Sequence, residues 1–342
     1  MKKRVFLTGV SGFLASHIAL QLLKSGAHVT GSLRSLGKAD HTRRVLESHG
    51  ADTTNLSFTE LDLLEDRGWN KAIEGSDYLI HTASPFVTTM PKDPQELVKP
   101  AVEGTRRAIN AGLAANVKHI VLTSSMVSIA HGHGNSHTAK LTEADWTNVD
   151  GDDVSAYVLS KTLAERKAWK LVEEAGCKEL LTVINPGFIL GPVLEKDIGT
   201  SGALILKMLK GGFPGAPNIG FSCVDVRDAA ALHINALEAQ EFYGRRILAS
   251  GEDIQLVEIA RALAHDFPKY AKGLPTRQLP DFVVKLVGLF DGDAKTASKS
   301  LGHKHNVDYS SAVKLLGRDL VSNRDSARAM AKSIIEQGLV EG

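Results

Sequence analysis

The sequence has few of the features that mark exported, metal-binding or nucleic-acid-binding proteins. Only two of its 342 residues are cysteine, Cys177 and Cys223, too few for a disulfide framework and in no metal-ligand spacing. Basic and acidic residues nearly balance, and the formal net charge of +1 gives no electrostatic footprint for nucleic acid or an anionic membrane. We therefore expect a reducing, cytoplasmic setting, a small-molecule partner, and no nucleic-acid or membrane partner.

Long apolar runs are lacking as well. The N-terminal stretch MKKRVFLTGV has a basic start, but its apolar run breaks at Gly9 and Gly12. No run approaches the roughly 18 residues of a membrane span. We expect a chain that is neither exported nor anchored.

The first half alternates short β-branched runs with longer helical patterns, which is typical of a parallel sheet built from βαβ units. Strands are predicted at 4–8, 28–34, 56–63, 78–84, 119–125 and 180–187, and a long helix at 96–117. Proline and glycine become frequent beyond Pro186, and helical patterns predominate after about residue 250. The pattern predicts an α/β fold, a Rossmann-type doubly wound parallel sheet with a smaller, mostly helical C-terminal lobe. We assign 1–187, with later returns near 218–250, to the nucleotide-binding domain and 188–342 to the substrate-binding lobe.

A glycine-rich turn, FLTGVSGFLASH, follows the first predicted strand and leads into a helix. Gly9 allows a sharp bend, and Gly12 allows the backbone to approach a pyrophosphate at the helix N-terminus. Ala15 occupies the third small position, which serves helix packing rather than phosphate contact. Because the spacing is G-x-x-G-x-x-A and not G-x-G-x-x-G, the turn alone fits a structural turn about as well as a nucleotide site.

The end of the second predicted strand favours NADPH/NADP+ over NAD. NAD sites of this type carry a carboxylate there, whereas an arginine accommodates the 2′-phosphate of NADP. This chain has Arg34 with Lys38 close by, and no carboxylate before Asp40. The alternative interpretation is two solvated loop cations.

Three side chains predict carbonyl chemistry. Tyr157 and Lys161 are four residues apart in a helical pattern, so they share a face, and a neighbouring ammonium favours the phenolate and lowers a tyrosine's pKa. Such pairs are common on exposed helices and need a third member. Ser124 and Ser125 end a buried strand, at the sheet edge where ligands bind, although two hydroxyls there could merely cap the strand.

These segments together resemble the extended short-chain dehydrogenases/reductases, in particular the group of dihydroflavonol reductases, cinnamoyl-CoA reductases and fungal methylglyoxal or aldehyde reductases. The matching segments are the glycine turn, LDL (61–63), HTASPF (81–86), TSS (123–125), YVLSK (157–161), NPGFILGP (185–192) and VDVRDAA (224–230). Sugar epimerases of this fold usually carry Asn-Val-x-Gly-Thr in the helix at 96–117. This chain has Ala101 where that asparagine would stand, as in the reductases.

The resemblance implies a role for each matched position. Tyr157 would be the proton donor, Lys161 would lower its pKa and hold the nicotinamide ribose, and Ser125 would polarise the substrate carbonyl. The implied cofactor-binding residues are Gly9, Ser11, Gly12, Phe13, Leu14, Arg34, Lys38, Asp62, Leu63, Thr82, Ala83, Ser84, Tyr157, Lys161, Pro186, Gly187 and Ile189. Relatives occur as monomers and as homodimers, so either state is open.

We expect an NADPH-dependent reductase of aldehydes or ketones. The alternatives are a nucleotide-sugar epimerase or dehydratase that retains NAD(P), and a non-catalytic NADP-sensing protein. His131, His133 and His137 could suggest a metal, but a glycine-rich loop without a cysteine is more often a flexible rim, and we expect no metal site. We expect core or lobe packing for Trp146, Trp169 and 282–290, and a helix cap with its first turn for Asp225 and Asp228.

Overall fold

The computed structural model describes residues 2–85, 93–134, 140–289, 298, 301–302 and 305–340. Within these residues the strands are β1 (Arg4–Thr8), β2 (His28–Leu33), β3 (Leu56–Glu60), β4 (Tyr78–His81), β5 (His119–Thr123), β6 (Leu181–Pro186), β7 (Phe188–Leu190), β8 (Gly220–Asp225), β9 (Arg246–Ala249) and β10 (Asp253–Gln255). The helices, apart from short 3-10 turns, are α1 (Phe13–Lys24), α2 (Ala39–Ser48), α3 (Trp69–Ile73), α4 (Gln95–Ala114), α5 (Val127–Ala130), α6 (Ala156–Glu174), α7 (Gly199–Leu209), α8 (Val226–Asn235), α9 (Leu256–Asp266), α10 (Asp281–Val287), α11 (Ser310–Leu316) and α12 (Asn323–Glu336).

Seven strands form one parallel sheet in the order β3-β2-β1-β4-β5-β6-β9. The chain starts in the middle, builds outward to β3, and then crosses back to β4 on the other side of β1. The order therefore reverses between β1 and β4. In doubly wound sheets, ligands bind outside the carboxyl ends of the strands at such a reversal.

The central strands are buried on both faces because helices cover both sides of the sheet. Val5, Leu7 and Ile80 pack with Ile18 and Leu22 of α1 on one face. On the other face, Phe6, Leu79 and Ile120 pack with residues of α4 and α6, including Ile109 and Trp169. The continuous apolar strands, rather than alternating ones, are the sequence signature of this arrangement.

A second core lies under a three-stranded sheet of order β10-β8-β7. Ile205 and Met208 of α7, Ile259 of α9, and Met330 and Ile334 of α12 are fully buried in it. The C-terminal part is mostly helical, as the sequence predicts, and its helices pack around these short strands. The domain boundary near residue 188 stays a prediction.

Several predicted elements end earlier in the structure. The strands predicted to reach 63, 84 and 125 end at Glu60, His81 and Thr123, and the helix predicted at 96–117 spans Gln95–Ala114. The segments just beyond β3, β4 and β5 are loops because the sheet pairing stops there. These loops carry Asp62, Thr82 and Ser125, whose side chains the predicted site requires.

The apolar stretch at 282–290 differs from the expectation of packing. Val284 is buried, but Phe282, Leu286 and Leu289 are 70%, 58% and 73% exposed, and residue 290 lies outside the described residues. Trp169 is buried and Trp146 packs on the same core, as expected. In the part of the chain that the structure describes, no helix has the length and apolar character required to span a bilayer.

Candidate active site

The predicted cofactor and catalytic segments meet at the carboxyl edge of the sheet. The glycine turn follows β1, Thr82–Ser84 follow β4, and Ser124 and Ser125 follow β5. Because neighbouring strands are parallel and paired in register, with Thr8 opposite His81, their ends lie side by side. Helix α6 brings Tyr157 and Lys161 to the same edge.

The glycine turn has the form required by a close approach of phosphate. Gly9 has φ +68°, a conformation that favours glycine, and a Cβ there would lie 3.1 Å from Ala83. Gly12 precedes α1 with extended backbone, and no side chain caps the helix N-terminus and no acidic residue lies in its first turn. The turn and the first helical residues therefore fit a pyrophosphate group. Ala15 is 2% exposed and packs in the core, as the sequence predicts.

Thr8 joins the glycine turn to the strand beyond the reversal. Its hydroxyl oxygen accepts hydrogen bonds from the backbone N–H groups of Thr82 (3.1 Å) and Ala83 (3.0 Å). The Thr82 hydroxyl donates in return to the Thr8 carbonyl oxygen. This residue is missing from the sequence-based set, because a threonine at a strand end gives no local signal of the contact.

Arg34 and Lys38 are both exposed in the loop after β2 and open to a ligand. Next to this loop, Ser32 Oγ accepts a hydrogen bond from Gly9 N (3.0 Å). Glu60 Oε2 accepts one from Leu36 N (3.1 Å), so a carboxylate that sequence reasoning missed helps shape the loop from the neighbouring strand. A backbone N–H therefore already engages this carboxylate.

Two further predicted segments follow strands β3 and β6 of the sheet. Asp62 Oδ1 accepts a hydrogen bond from Leu64 N (2.7 Å), which fixes the turn after β3. Pro186 O accepts one from Met126 N (2.8 Å), which ties the end of β6 to the residue after Ser125. A Cβ at Gly187 would overlap the Ser222 carbonyl oxygen, so glycine is required for that close approach. Ile189 lies in β7 and is half-buried.

The three predicted catalytic side chains come together. The Tyr157 phenol interacts with the Ser125 hydroxyl, and the Lys161 Nζ lies 6.0 Å from the centroid of the Tyr157 ring. Desolvation of the phenol raises the pKa of Tyr157, although the residue as a whole is 38% exposed, and the Ser125 hydrogen bond lowers it by less. This differs from the expectation that Lys161 dominates and lowers that pKa. The phenol is therefore protonated at neutral pH and available as a proton donor.

Lys161 is half-buried beside Tyr157. Burial lowers the pKa of its ammonium to about 8. A cavity of about 10 Å³ beside it is also lined by His81, Ala101 and Thr105. Ala101, which replaces the asparagine of sugar epimerases in the sequence comparison, thus lies in the immediate surroundings of Lys161.

The two adjacent serines have different partners. Ser124 Oγ donates to a buried carboxylate oxygen of Glu165 at 2.5 Å and lies 3.3 Å from Ser128 Oγ. Ser125 Oγ accepts a weak hydrogen bond from Val127 N at 3.3 Å and reaches Tyr157. The Ser124 hydroxyl is thus engaged in the interior, whereas that of Ser125 is on the site side.

Glu165 is the largest omission from the sequence-based set. It is 1% exposed and lies one helical turn beyond Lys161. The sequence signal that could have identified it is this spacing, which places an acidic residue on the same helix face as Lys161. Its carboxylate pairs with Arg246 of β9 at 2.6 Å. Arg246 offers no comparable signal, because it is 81 residues away in the sequence.

The discounted histidines have ordinary partners. His131 Nδ1 lies 3.0 Å from Asp153 Oδ2, and His133 Nε2 donates to the Ile129 carbonyl oxygen at 2.8 Å. His137 lies outside the described residues. Among the residues that are described, no three His, Cys, Asp or Glu side chains cluster as metal ligands.

The two aspartates of VDVRDAA have the predicted structural role. Asp225 caps α8 by accepting from Arg227 N (2.8 Å), and Asp228 lies in the first turn of that helix. Asp228 is fully buried and accepts from Arg318 Nη2 (2.5 Å) and Val321 N (2.7 Å). It thereby fastens the C-terminal segment to α8.

Comparisons with known proteins agree with this arrangement. The model of the NAD dependent epimerase/dehydratase family matches residues 5–247. Cinnamoyl-CoA reductase 2 of Arabidopsis thaliana is 36% identical over 279 residues, which cover 80% of either chain. Cinnamoyl-CoA reductase 1 of the same plant is 34% identical over 278 residues, which cover 80% of this chain and 77% of the relative. The crystal structure of yeast methylglyoxal/isovaleraldehyde reductase Gre2 complexed with NADPH is 25% identical, with a TM-score of 0.78, covering 98% of this chain and 99% of the yeast chain. The chain therefore belongs to the NAD-dependent epimerase/dehydratase family, the extended short-chain dehydrogenases/reductases, and within it to the reductase group.

Proposed function

We propose that the protein is an NADPH-dependent reductase that converts an aldehyde or ketone to an alcohol. The observation that carries the proposal is the meeting of Ser125, Tyr157 and Lys161 at the sheet edge beside the open N-terminus of α1. Arg34 and Lys38 support NADPH over NADH, because they offer two cations to a 2′-phosphate. The relatives named as reductases support the same reaction class.

Each catalytic side chain has a distinct role in this reaction. When bound, NADPH supplies a hydride to the carbonyl carbon. Ser125 donates a hydrogen bond to the carbonyl oxygen, and Tyr157 transfers its proton to that oxygen as negative charge develops. Lys161 holds the nicotinamide ribose, and its ammonium stabilises the phenolate that remains on Tyr157.

The remaining cofactor contacts in this proposal are those that the family resemblance implies. Gly9, Ser11, Gly12, Phe13 and Leu14 hold the pyrophosphate through the turn and the helix N-terminus. Asp62 and Leu63 lie by the adenine, and Thr82, Ala83 and Ser84 lie along the cofactor. Pro186, Gly187 and Ile189 line its nicotinamide end. We also propose a cytoplasmic location and a monomer or homodimer.

The test is oxidation of NADPH by the purified protein against a panel of short aldehydes, diketones and polyphenol-type ketones. Wild-type turnover that is lost in Tyr157→Phe supports the proposal, and near-full activity in Tyr157→Phe contradicts the mechanism. NAD that stays bound through purification, with epimerisation of a nucleotide sugar, would favour the alternative function. Binding of NADPH without turnover of any carbonyl would favour a sensing role.

A further inference from the structure

The most extensively hydrogen-bonded buried charge close to the candidate site is the Glu165 carboxylate. One oxygen accepts from Arg246 Nε at 2.6 Å and from Trp169 Nε1 at 3.3 Å. The other accepts from Ser124 Oγ and Ser128 Oγ, both at 2.5 Å, and from Asn185 Nδ2 at 2.8 Å. Five donors thus converge on one carboxylate, which satisfies a charge that would otherwise be costly to bury.

The donors come from different elements of the fold. Ser124 and Ser128 flank the predicted catalytic serine, Asn185 belongs to β6, and Arg246 belongs to β9. Glu165 itself belongs to α6, the helix that carries the predicted proton donor. One side chain therefore connects the end of β5 and the start of α5 to the catalytic helix.

Arg246 is fixed as firmly as its partner. It is 7% exposed, and its guanidinium donates to the carbonyl oxygens of Glu143 (3.1 Å) and Asp145 (2.5 Å) and lies 3.9 Å from the centroid of the Trp146 ring. A planar guanidinium held by a stacked ring and two carbonyl oxygens has little freedom to reorient. The ion pair is therefore rigid, and the side chains that are hydrogen-bonded to the carboxylate are held in place with it.

The network also holds the backbone of Ser125. Asn185 Nδ2 donates to the Ser125 carbonyl oxygen at 3.2 Å, and the Ser128 hydroxyl, whose single proton is shared between two acceptors, lies 2.7 Å from the same oxygen and 2.5 Å from the Glu165 carboxylate. Both donors are in turn bound to Glu165. The backbone of Ser125 is thus fixed by two groups that the carboxylate orients.

We infer that Glu165 is a positioning residue for the carbonyl reduction. It holds Ser124, Ser128 and Asn185. Through these side chains it positions Ser125 relative to Tyr157 and Lys161. It acts through these side chains rather than on the reacting atoms. The inference rests on the proposed reductase function. It predicts that neutralising the carboxylate impairs turnover more than cofactor binding, since the glycine turn lies across the sheet edge from the network.

The test is Glu165→Gln, which keeps the shape but replaces an acceptor oxygen with an amide donor facing hydroxyl and amide groups. We expect kcat to fall by about tenfold to a hundredfold, because small misplacements of reacting groups cost that much, with the Kd of NADPH within about threefold of wild type. Ser124→Ala is a milder second variant that removes one donor and should fold in any case, with a smaller loss of kcat. In the double variant the two losses should combine to less than their product, because both act through one contact.

The matched control is Asp228→Asn, which removes the charge of another fully buried, arginine-paired carboxylate, whose partners are Arg318 and Val321 of the C-terminal segment. It should lower the melting temperature and leave kcat unchanged. The inference would be overturned if Glu165→Gln and Asp228→Asn had equal effects on kcat. It would also be overturned if kcat were unchanged in both Glu165→Gln and Ser124→Ala. Tyr157→Phe separates it from the proposed function: activity retained in Tyr157→Phe refutes the function's mechanism, whereas activity lost there but retained in Glu165→Gln refutes only the positioning role.

Discussion

Ser124 Oγ donates a 2.5 Å hydrogen bond to the carboxylate of Glu165, and this contact separates the roles of two serines that the sequence presents side by side. With the Ser124 hydroxyl engaged in the interior, the Ser125 hydroxyl is the one that reaches Tyr157. The position of a neighbouring carboxylate thus supports the proposal that Ser125 polarises the substrate carbonyl.

Removing the Ser125 hydroxyl should therefore cost more than removing its neighbour. We expect Ser125→Ala to lower kcat/KM for a carbonyl substrate by about a hundredfold or more, the effect of losing a donor to a developing oxyanion. Ser124→Ala should lower it by less than about tenfold, because it acts only on position. Steady-state kinetics of both variants checks this, and a larger effect of Ser124→Ala would reverse the assignment.

Lys161 should set the alkaline limit of activity. Burial lowers its pKa to about 8, whereas burial raises that of Tyr157, so the lysine loses its proton first as the pH rises. Since kcat/KM reports groups of the free enzyme, we expect it to fall as the pH rises through about 8. Lys161→Met should be nearly inactive, and its residual kcat/KM should lack this fall at alkaline pH, the alkaline limb of the pH profile. An alkaline limb that persists in the residual activity of Lys161→Met would assign it to another group.

The glycine turn should respond very differently at its second and third positions. A Cβ at Gly12 meets only the Gly9 carbonyl oxygen, at 3.3 Å, and Gly12 has ordinary backbone. Gly12→Val should therefore fold and lose NADPH binding, because its side chain occupies the space of the pyrophosphate. Ala15→Gly should keep NADPH affinity and lose about 1 kcal/mol of stability, as expected for glycine inside a helix. Fluorescence titration with NADPH and thermal melts measure both, and an affinity gain of about tenfold in Ala15→Gly, about 1.4 kcal/mol, would contradict the packing role.

Cofactor preference should depend on the two exposed cations after β2. Arg34→Ala together with Lys38→Ala should raise the KM for NADPH by about tenfold or more, the loss of a charge-assisted contact, with little change for NADH. Lys332→Ala, which removes an exposed cation from α12, is the matched control and should leave both values unchanged. Equal losses for NADPH and NADH would show that the pair does not recognise the 2′-phosphate.

Four buried histidines should make the fold sensitive to acid. Burial lowers the pKa to about 4 for His17 and His233 and to about 3 for His81 and His119, against an ordinary value of 6.5. These groups are neutral when folded and take up protons on unfolding below pH 6.5. The free energy of unfolding should therefore fall as the pH drops from about 6.5 toward 4, by up to about 1.4 kcal/mol per pH unit for each group.

Urea unfolding at several pH values between 7 and 5 measures this slope. His119→Phe is an informative variant, because the His119 ring stacks on Tyr243 with centroids 3.7 Å apart and a phenyl ring can replace it there. The dependence of its unfolding free energy on pH should be weaker than that of the wild type by the contribution of one histidine. A wild-type stability that is flat between pH 6.5 and 5 would show that these histidines do not control it.

Much of this protein was determined by local sequence. The succession of short apolar strand patterns and longer helical patterns predicted the parallel sheet. Gly9, Gly12 and Ala15 identified the turn, because backbone conformation and packing restrict those positions to small residues. Tyr157 and Lys161 were readable because helical spacing alone places them on one face.

Tertiary structure decided what depends on residues distant in the chain. The pKa values of Tyr157 and Lys161 follow from burial, which no local pattern reports. The engagement of the Ser124 hydroxyl in the interior depends on Glu165, and Glu165 pairs with Arg246, which comes from a strand 81 residues away. Spacing along one helix can be read from the sequence, but the partners that other strands bring to that helix exist only once the sheet has formed.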